Sequence, residues 1–169
     1  DMTGLPVYHL DKFFWQPGWV EAPRAEFEAR HDAVIYENRW ILDGNNTRTM
    51  PGRFRKAQFL VLFDFPLWRC LMRFIVRGLT HYGQTRDDMA DGCPERPTCS
   101  QMRYMMQFKK ITKPKIVEAL LSSGTPHIIL KSERDVQDFL DSVRASLDRD
   151  GQDDARMRDM VRESLTGTE

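Results

Sequence analysis

Apolar residues fall along the chain in short β-favouring runs that alternate with longer stretches of helical spacing. The first run, PVYHLDKFFW, sets Val7, Tyr8, Phe13 and Phe14 around Asp11 and breaks at Pro17-Gly18. It predicts a short strand and then a loop, with Asp11 at or just past the strand's C-terminal end. A helix is expected from Pro23, since proline suits the first helical turn, and Glu26, Phe27, Ala29 and Arg30 follow it. WILDGNNTR predicts a strand over Trp40 to Leu42 that stops in the turn formers Asp43-Gly44-Asn45-Asn46. AQFLVLFDFP is a near-continuous apolar run closed by Asp64 and Pro66, the pattern of a parallel-sheet strand covered on both faces.

LWRCLMRFIVRGL reads as a helix with Leu67, Leu71, Phe74, Ile75 and Leu79 on one side and Arg69, Arg73 and Arg77 recurring as a stripe. From His81 to Ser100, Gly83, Gly92, Pro94 and Pro97 among alternating charges predict a long irregular loop, a place for function or mobility. Helical spacing resumes from Gln101 to Lys110, is expected to be interrupted at Pro114, and continues in KIVEALLSSG to a stop at Gly124. TPHIILKS predicts a strand, and SERDVQDFLDSV a helix with Ser132 as N-cap. Residues 148–169 have no sustained apolar face and form an acidic tail, expected to be disordered or a frayed helix. There are no internal repeats. Alternating strands and helices predict one α/β domain over residues 1–147 with a mainly parallel, doubly wound sheet. Such sheets bind ligands at the carboxyl ends of their strands, where Asp11, Asp43 and Asp64 all fall.

Composition narrows the classes. With 169 residues, 41% of them hydrophobic and 30% charged, the chain is long enough and apolar enough for one domain with a core, which excludes disorder. The 25 basic and 25 acidic residues cancel, so no global field argues for nucleic acid or an anionic membrane as partner. From Asp141 onward there are five basic residues against eight acidic, leaving 20 against 17 before it: a mildly basic body and an acidic tail. Three cysteines without a framework predict reduced thiols. No run approaches the ~18 apolar residues of a membrane helix, and these residues hold no charged-then-apolar stretch of the signal-peptide kind, so a cytoplasmic location is expected. His81, Cys93 and Cys99 do not make a tetrahedral set, and no directly bound metal is expected from them.

The segment WILDGNNTRTM resembles the hydrophobic-Asp-Gly-x-x-x-Arg stretch of adenylate-kinase-type nucleotide kinases. QFLVLFDFP is similar to their next core strand, and the helix carrying Arg73-x-x-x-Arg77 to the one that leads into their mobile lid. With LDKFFWQPGW, DMADGCPER and KPKIVEALL, the body to about Leu140 resembles small P-loop proteins described as DNA topology modulation proteins or adenylate-kinase-like ATPases. Order and spacing of the pieces carry the resemblance. It implies a three-layer P-loop NTPase fold with a lid over about residues 78–103, and an ATP-dependent phosphotransferase or derived ATPase. It also implies ATP and Mg²⁺ as cofactors and a nucleotide or small phosphorylatable acceptor as partner.

The resemblance implies roles residue by residue. Arg73 and Arg77, with Arg86 and Arg96 in the following loop, clamp phosphate oxygens as the loop closes. Asp43, beside Gly44, orients Mg²⁺ through water; Asp11 binds or deprotonates an acceptor hydroxyl, and Arg48 contacts an acceptor phosphate. Asp64 reads as a turn residue and Arg69 as part of a solvated helix face. Met102, Met105, Met106, Phe13, Phe14, Trp15 and Trp19 read as packing. One departure is large: the chain has no G-x-x-x-x-G-K-[ST], and with it lacks the first strand, the Walker A loop and the first helix. The resemblance places that unit of roughly 30 residues before Asp1, and the non-Met start favours upstream residues that supply it. Two alternatives remain. One is a nucleic-acid-associated regulator with a basic face interleaved with aromatics. The other is a catalytically inactive interaction module with exposed apolar sheet edges.

Overall fold

A computed structural model describes residues 2–166, with side chains described for residues 2–149. The chain divides into two units, Leu5–Ile129 and residues 2–4 with 130 onward. In the first, strand β1 (Val7–His9) gives way at once to a one-turn helix, α1 (Leu10–Phe14). The strand is only three residues long, and Asp11, expected at or just past its C-terminal end, sits two residues beyond it in the first turn of α1. Leu10, Phe13 and Phe14 have the i, i+3, i+4 spacing of a helix face, and burying Leu10 overrides the β-preference of the aromatics.

A hairpin of β2 (Trp15–Gln16) and β3 (Val20–Glu21) follows, antiparallel, with Trp15 opposite Glu21 and Gln16 opposite Val20. Its turn uses Gly18 at φ 82° and Trp19 at φ 64°, a left-handed conformation that a bulky residue adopts only when its surroundings hold it there. Helix α2 (Arg24–Ile35) follows Pro23 and buries Phe27, His31, Val34 and Ile35, a stripe at helical spacing. Strand β4 (Ile41–Asp43) pairs parallel with β1 in the register Val7 to Ile41, Tyr8 to Leu42 and His9 to Asp43.

Helix α3 (Met50–Lys56) has no counterpart in the sequence reading. Pro51 opens it, and Met50, Arg53 and Phe54 turn inward together. It packs on α5 (Cys99–Ser123), where Met50, Phe54, Ile116 and Leu120 form a core with Leu60, Leu62, Phe108 and Ala119 against it. Helix α5 runs unbroken through Pro114, contrary to the expected interruption. It opens with a capping box in which Gln101 N donates to Thr98 Oγ1 (3.2 Å) and Thr98 N to Gln101 Oε1 (2.9 Å), and it closes on Gly124 at φ 69°. With both ends capped and Ile116 and Leu120 buried beyond the proline, packing offsets the one hydrogen bond that Pro114 cannot make.

Strand β5 (Leu60–Phe63) pairs with β6 (His127–Leu130). Leu60 and Leu62 turn to the core while Val61 and Phe63 are exposed, so β5 is covered on one face and not on two. Helix α4 (Leu67–Thr80) likewise departs from its expected face: Phe74 and Gly78 are buried, whereas Trp68, Met72, Ile75, Val76 and Leu79 line the solvent side. The described strands form three two-stranded sheets, β1 with β4, β2 with β3 and β5 with β6, where a single doubly wound sheet was expected.

In the second unit, α6 spans Glu133–Thr166. Ser132 caps it as expected: Asp135 N donates to Ser132 Oγ (3.2 Å), and Asp135 Oδ2 accepts from Lys131 N (2.8 Å) and Ser132 N (3.0 Å). Those bonds hold the Asp135 carboxyl below its ordinary value. The expected tail, 148–169, is helical backbone to Thr166; its side chains from 150 and its last three residues lie outside the described residues. No helix among the described residues is long and apolar enough to cross a membrane.

Candidate functional site

The parallel β1–β4 pair ends on two polar residues side by side. His9 and Asp43 are register partners, and His9 Nδ1 lies 3.3 Å from Asp43 Oδ2. Asp11 follows two residues after His9, so the carboxyl ends of the two strands bring Asp11, Asp43 and His9 to one place. Gly44 makes the junction possible. Its φ is 136°, and a Cβ there would stand 2.7 Å from Leu10 Cβ, so only glycine lets the end of β4 lie against α1. The Gly44 carbonyl accepts from Arg53 Nη2 at 2.6 Å, and Arg53 Nη1 donates to Thr49 Oγ1 at 3.3 Å. Arg53 is only 4% exposed. Burial lowers its pKa to about 10 while the charge of Asp43 resists the change, so at neutral pH it is a buried cation beneath the carboxylates.

Asp11 keeps exposed surface, yet the protein crowds it on enough sides that lost solvation raises its carboxyl pKa. The charges of Asp43 and then Asp88 push the same way, and Arg86 and His9 pull back. Tyr104 on α5 keeps about half its surface exposed, but lost solvation around its phenol raises the pKa and the charge of Asp11 adds to it, with the Thr112 side chain opposing. The site therefore collects carboxylates Asp11, Asp43 and Asp88, cations Arg53 and Arg86, and His9 and Tyr104 around one acid with elevated proton affinity. That is the electrostatic setting of a general base.

The loop between α4 and α5 reaches this site, and it is fastened down. Glu95 is buried, with Oε1 accepting from Arg77 Nε at 3.1 Å and Oε2 3.4 Å from Arg86 Nε. The second contact is an ion pair only, since Arg86 Nε is buried without a well-aligned hydrogen bond. Arg86 Nη2 also pairs with Asp88 Oδ2 at 3.2 Å. On the other side the loop grips the hairpin: Gly18 N donates to Gly92 O (2.9 Å), Trp19 Nε1 to Pro94 O (3.0 Å) and Cys93 Sγ to Gln16 O (3.2 Å). Met89, Ala90 and Cys93 pack with Trp15 and Trp19, which makes both tryptophans packing residues and explains how Trp19 is held in its unusual conformation.

Of the residues singled out from sequence, Asp11, Asp43, Gly44 and Arg86 meet at the site, and Arg77 joins them through Glu95. Arg73 lies over the Phe65 ring at 4.8 Å. Arg48 has an exposed side chain, and its backbone N donates to Asn46 Oδ1 at 3.1 Å; Arg96 is exposed. Asp64, read as a turn residue, accepts from Lys113 Nζ at 2.6 Å, and Arg69 lies over Trp68. Sequence reasoning missed His9, Arg53, Asp88, Glu95 and Tyr104. Asp88 and Glu95 stand in the DMADGCPER piece, a signal that pointed to them without their partners. Among the described residues no three His, Cys, Asp or Glu side chains gather as a metal site; Cys93 is buried under the hairpin and Cys99 exposed. No protein-family model, curated protein or solved structure matches the chain.

Proposed function

We propose that this chain carries the acceptor side of an ATP-dependent phosphotransferase of the nucleotide-kinase kind, with a nucleotide or small hydroxyl compound as acceptor. The observation that supports the reading best is Asp11, held with Asp43 at the carboxyl ends of a parallel strand pair, its proton affinity raised by crowding and neighbouring carboxylates. In this role the Asp11 carboxylate accepts the hydrogen bond of the acceptor hydroxyl and then its proton as the oxygen becomes a nucleophile. Asp43 and His9 flank that hydroxyl, and Arg86 and Arg77 supply positive charge for phosphate oxygens. The order of segments from LDKFFWQPGW to KPKIVEALL gives the reading its reaction class.

ATP and Mg²⁺ belong to the reaction the resemblance implies, but the residues present do not build their site. The chain has no phosphate-cradling loop, and among the described residues no three His, Cys, Asp or Glu side chains around Asp43 are close enough to hold a metal ion. The test is calorimetric titration of nucleosides and nucleoside monophosphates into the protein and into Asp11→Asn. A ligand that the wild type binds and Asp11→Asn binds at least about tenfold more weakly supports the reading. Failure of the whole panel, or equal binding by a folded Asp11→Asn, sinks it.

A second reading, an interaction module, is favoured by one observation. Trp68, Met72, Ile75, Val76 and Leu79 on α4 and Val61 and Phe63 on β5 are all exposed. Sedimentation over a wide concentration range tests it, since a chain that stays strictly monomeric with its apolar faces bare would dispose of the idea.

A further inference from the structure

The loop charges carry an arrangement that phosphate recognition alone does not require. Arg77 on α4 and Arg86 in the loop are like charges, and a single carboxylate stands between them. Glu95 is 3% exposed, and each of its two oxygens is committed to a different guanidinium, Oε1 to Arg77 and Oε2 to Arg86. Its backbone is tied at both ends, Glu95 N donating to Gln84 O (2.9 Å) and Gly83 N to Glu95 O (3.0 Å), and its carboxylate is held by burial between the two guanidinium groups. Gly78 on α4 and Pro97 in the loop stand in close contact and fix the distance between the two segments.

Glu95 also uses the inner nitrogens. It meets both arginines at Nε, which leaves the outer nitrogens of Arg77, whose side chain is 36% exposed and whose Cζ lies 5.8 Å from the Phe74 ring, with no hydrogen bond among the described residues. The outer nitrogen of Arg86 holds Asp88, which is 40% exposed and the easier of its two partners to displace. A guanidinium gripped at Nε and open at Nη is oriented as a fork, the geometry that recognises oxyanions bidentately.

We infer that Glu95 is a positioning residue that sets Arg77 and Arg86 as a two-armed clamp for the phosphate group of the acceptor, with Asp88 as the exchangeable counter-ion that the phosphate replaces. The inference rests on the phosphotransferase reading for the identity of its ligand, and its two arginines lie on the loop side of the site that holds Asp11. Two consequences differ in sign. Removing the charge of Glu95 lets the two cations repel and part, which weakens the clamp; removing the charge of Asp88 takes away a competitor, which strengthens it.

The experiment uses pyrophosphate as probe, titrated at low salt into the wild type, Glu95→Gln, Glu95→Asp and Asp88→Asn, with nitrogen NMR of the arginine Nε–H groups. The wild type is expected to bind with an affinity that falls as salt rises, and Glu95→Gln to bind at least about tenfold more weakly. Glu95→Asp should recover part of the loss, and Asp88→Asn should bind more tightly than the wild type. The Arg77 and Arg86 Nε–H signals should move in Glu95→Gln, a response that a merely structural glutamate elsewhere would not produce. No binding by the wild type, or a Glu95→Gln protein that binds equally well, overturns the proposal. If Glu95→Gln does not fold, Asp88→Asn decides, and an affinity equal to or below that of the wild type overturns it. Asp11→Asn separates the two readings, because it should weaken nucleoside binding at least about tenfold while removing a negative charge near Arg86, so that pyrophosphate binds at least as tightly as to the wild type.

Discussion

A methyl group added at position 78 tests how the loop sits on α4. In an exposed helix interior, Gly→Ala stabilises by about 1 kcal/mol because it removes backbone freedom from the unfolded chain. At Gly78 the new Cβ would stand 2.1 Å from Pro97 Cγ and 3.3 Å from Pro97 Cβ and Cδ. Carbon atoms pack best at about 3.5–4.0 Å, so the ring would have to retreat by roughly 1.5 Å. A proline ring is closed onto its own backbone, and the retreat would drag the loop, including Glu95 two residues earlier, away from Arg77. Overpacking of this kind costs about 1–3 kcal/mol, enough to offset the propensity gain and reverse the sign. Gly78→Ala is therefore expected to lower the urea midpoint without changing the slope. Adding Pro97→Ala removes the atom in conflict, so the double variant should recover part of the loss, with a coupling of about 1 kcal/mol or more. A Gly78→Ala protein more stable than the wild type, with no coupling to position 97, would refute the seating of the loop and with it the Glu95 clamp.

Asp11 predicts an unusual pH dependence. Its native carboxyl is raised by crowding, Asp43 and Asp88, so the folded protein holds that proton after the unfolded chain has released it. Its contribution to stability therefore falls as pH rises from the ordinary aspartate value through the raised one, and stays unfavourable above both. Asp11→Asn should be at least as stable as the wild type at neutral pH and should lose that slope, as urea midpoints across the acid range would show; a wild-type midpoint that rises through this window relative to the variant contradicts the shift. Pro114→Ala restores a missing hydrogen bond inside α5 and should stabilise by about 1–3 kcal/mol in thermal unfolding; a loss of stability would mean that the proline ring packs better than the helix bond it forfeits.

The strands at Val7, Ile41, Leu60 and His127, helices α2 and α4, the Ser132 cap and the Gly124 stop were legible because each rests on a local rule: β-rich apolar runs, turn formers, cap chemistry. Asp11 and Asp43 were found for the same reason, since a carboxylate beside a strand end is a sequence-local feature. What the sequence alone could not decide is which face of an element is covered. The wheel of α4 predicted an apolar side, yet the protein buries Phe74 and Gly78 and leaves Ile75 and Leu79 in solvent, because burial depends on what arrives from elsewhere. Pro114 likewise reads as a break until the packing of Ile116 and Leu120 shows why the helix continues. Glu95 meets Arg77 across 18 positions, and Cys93 meets Gln16 across 77. Such pairings follow the path of a loop, which is set by the sum of many weak contacts and not by any residue's own preference, so only the tertiary structure could decide that, of the arginine stripe on α4, Arg77 is the one that meets Glu95.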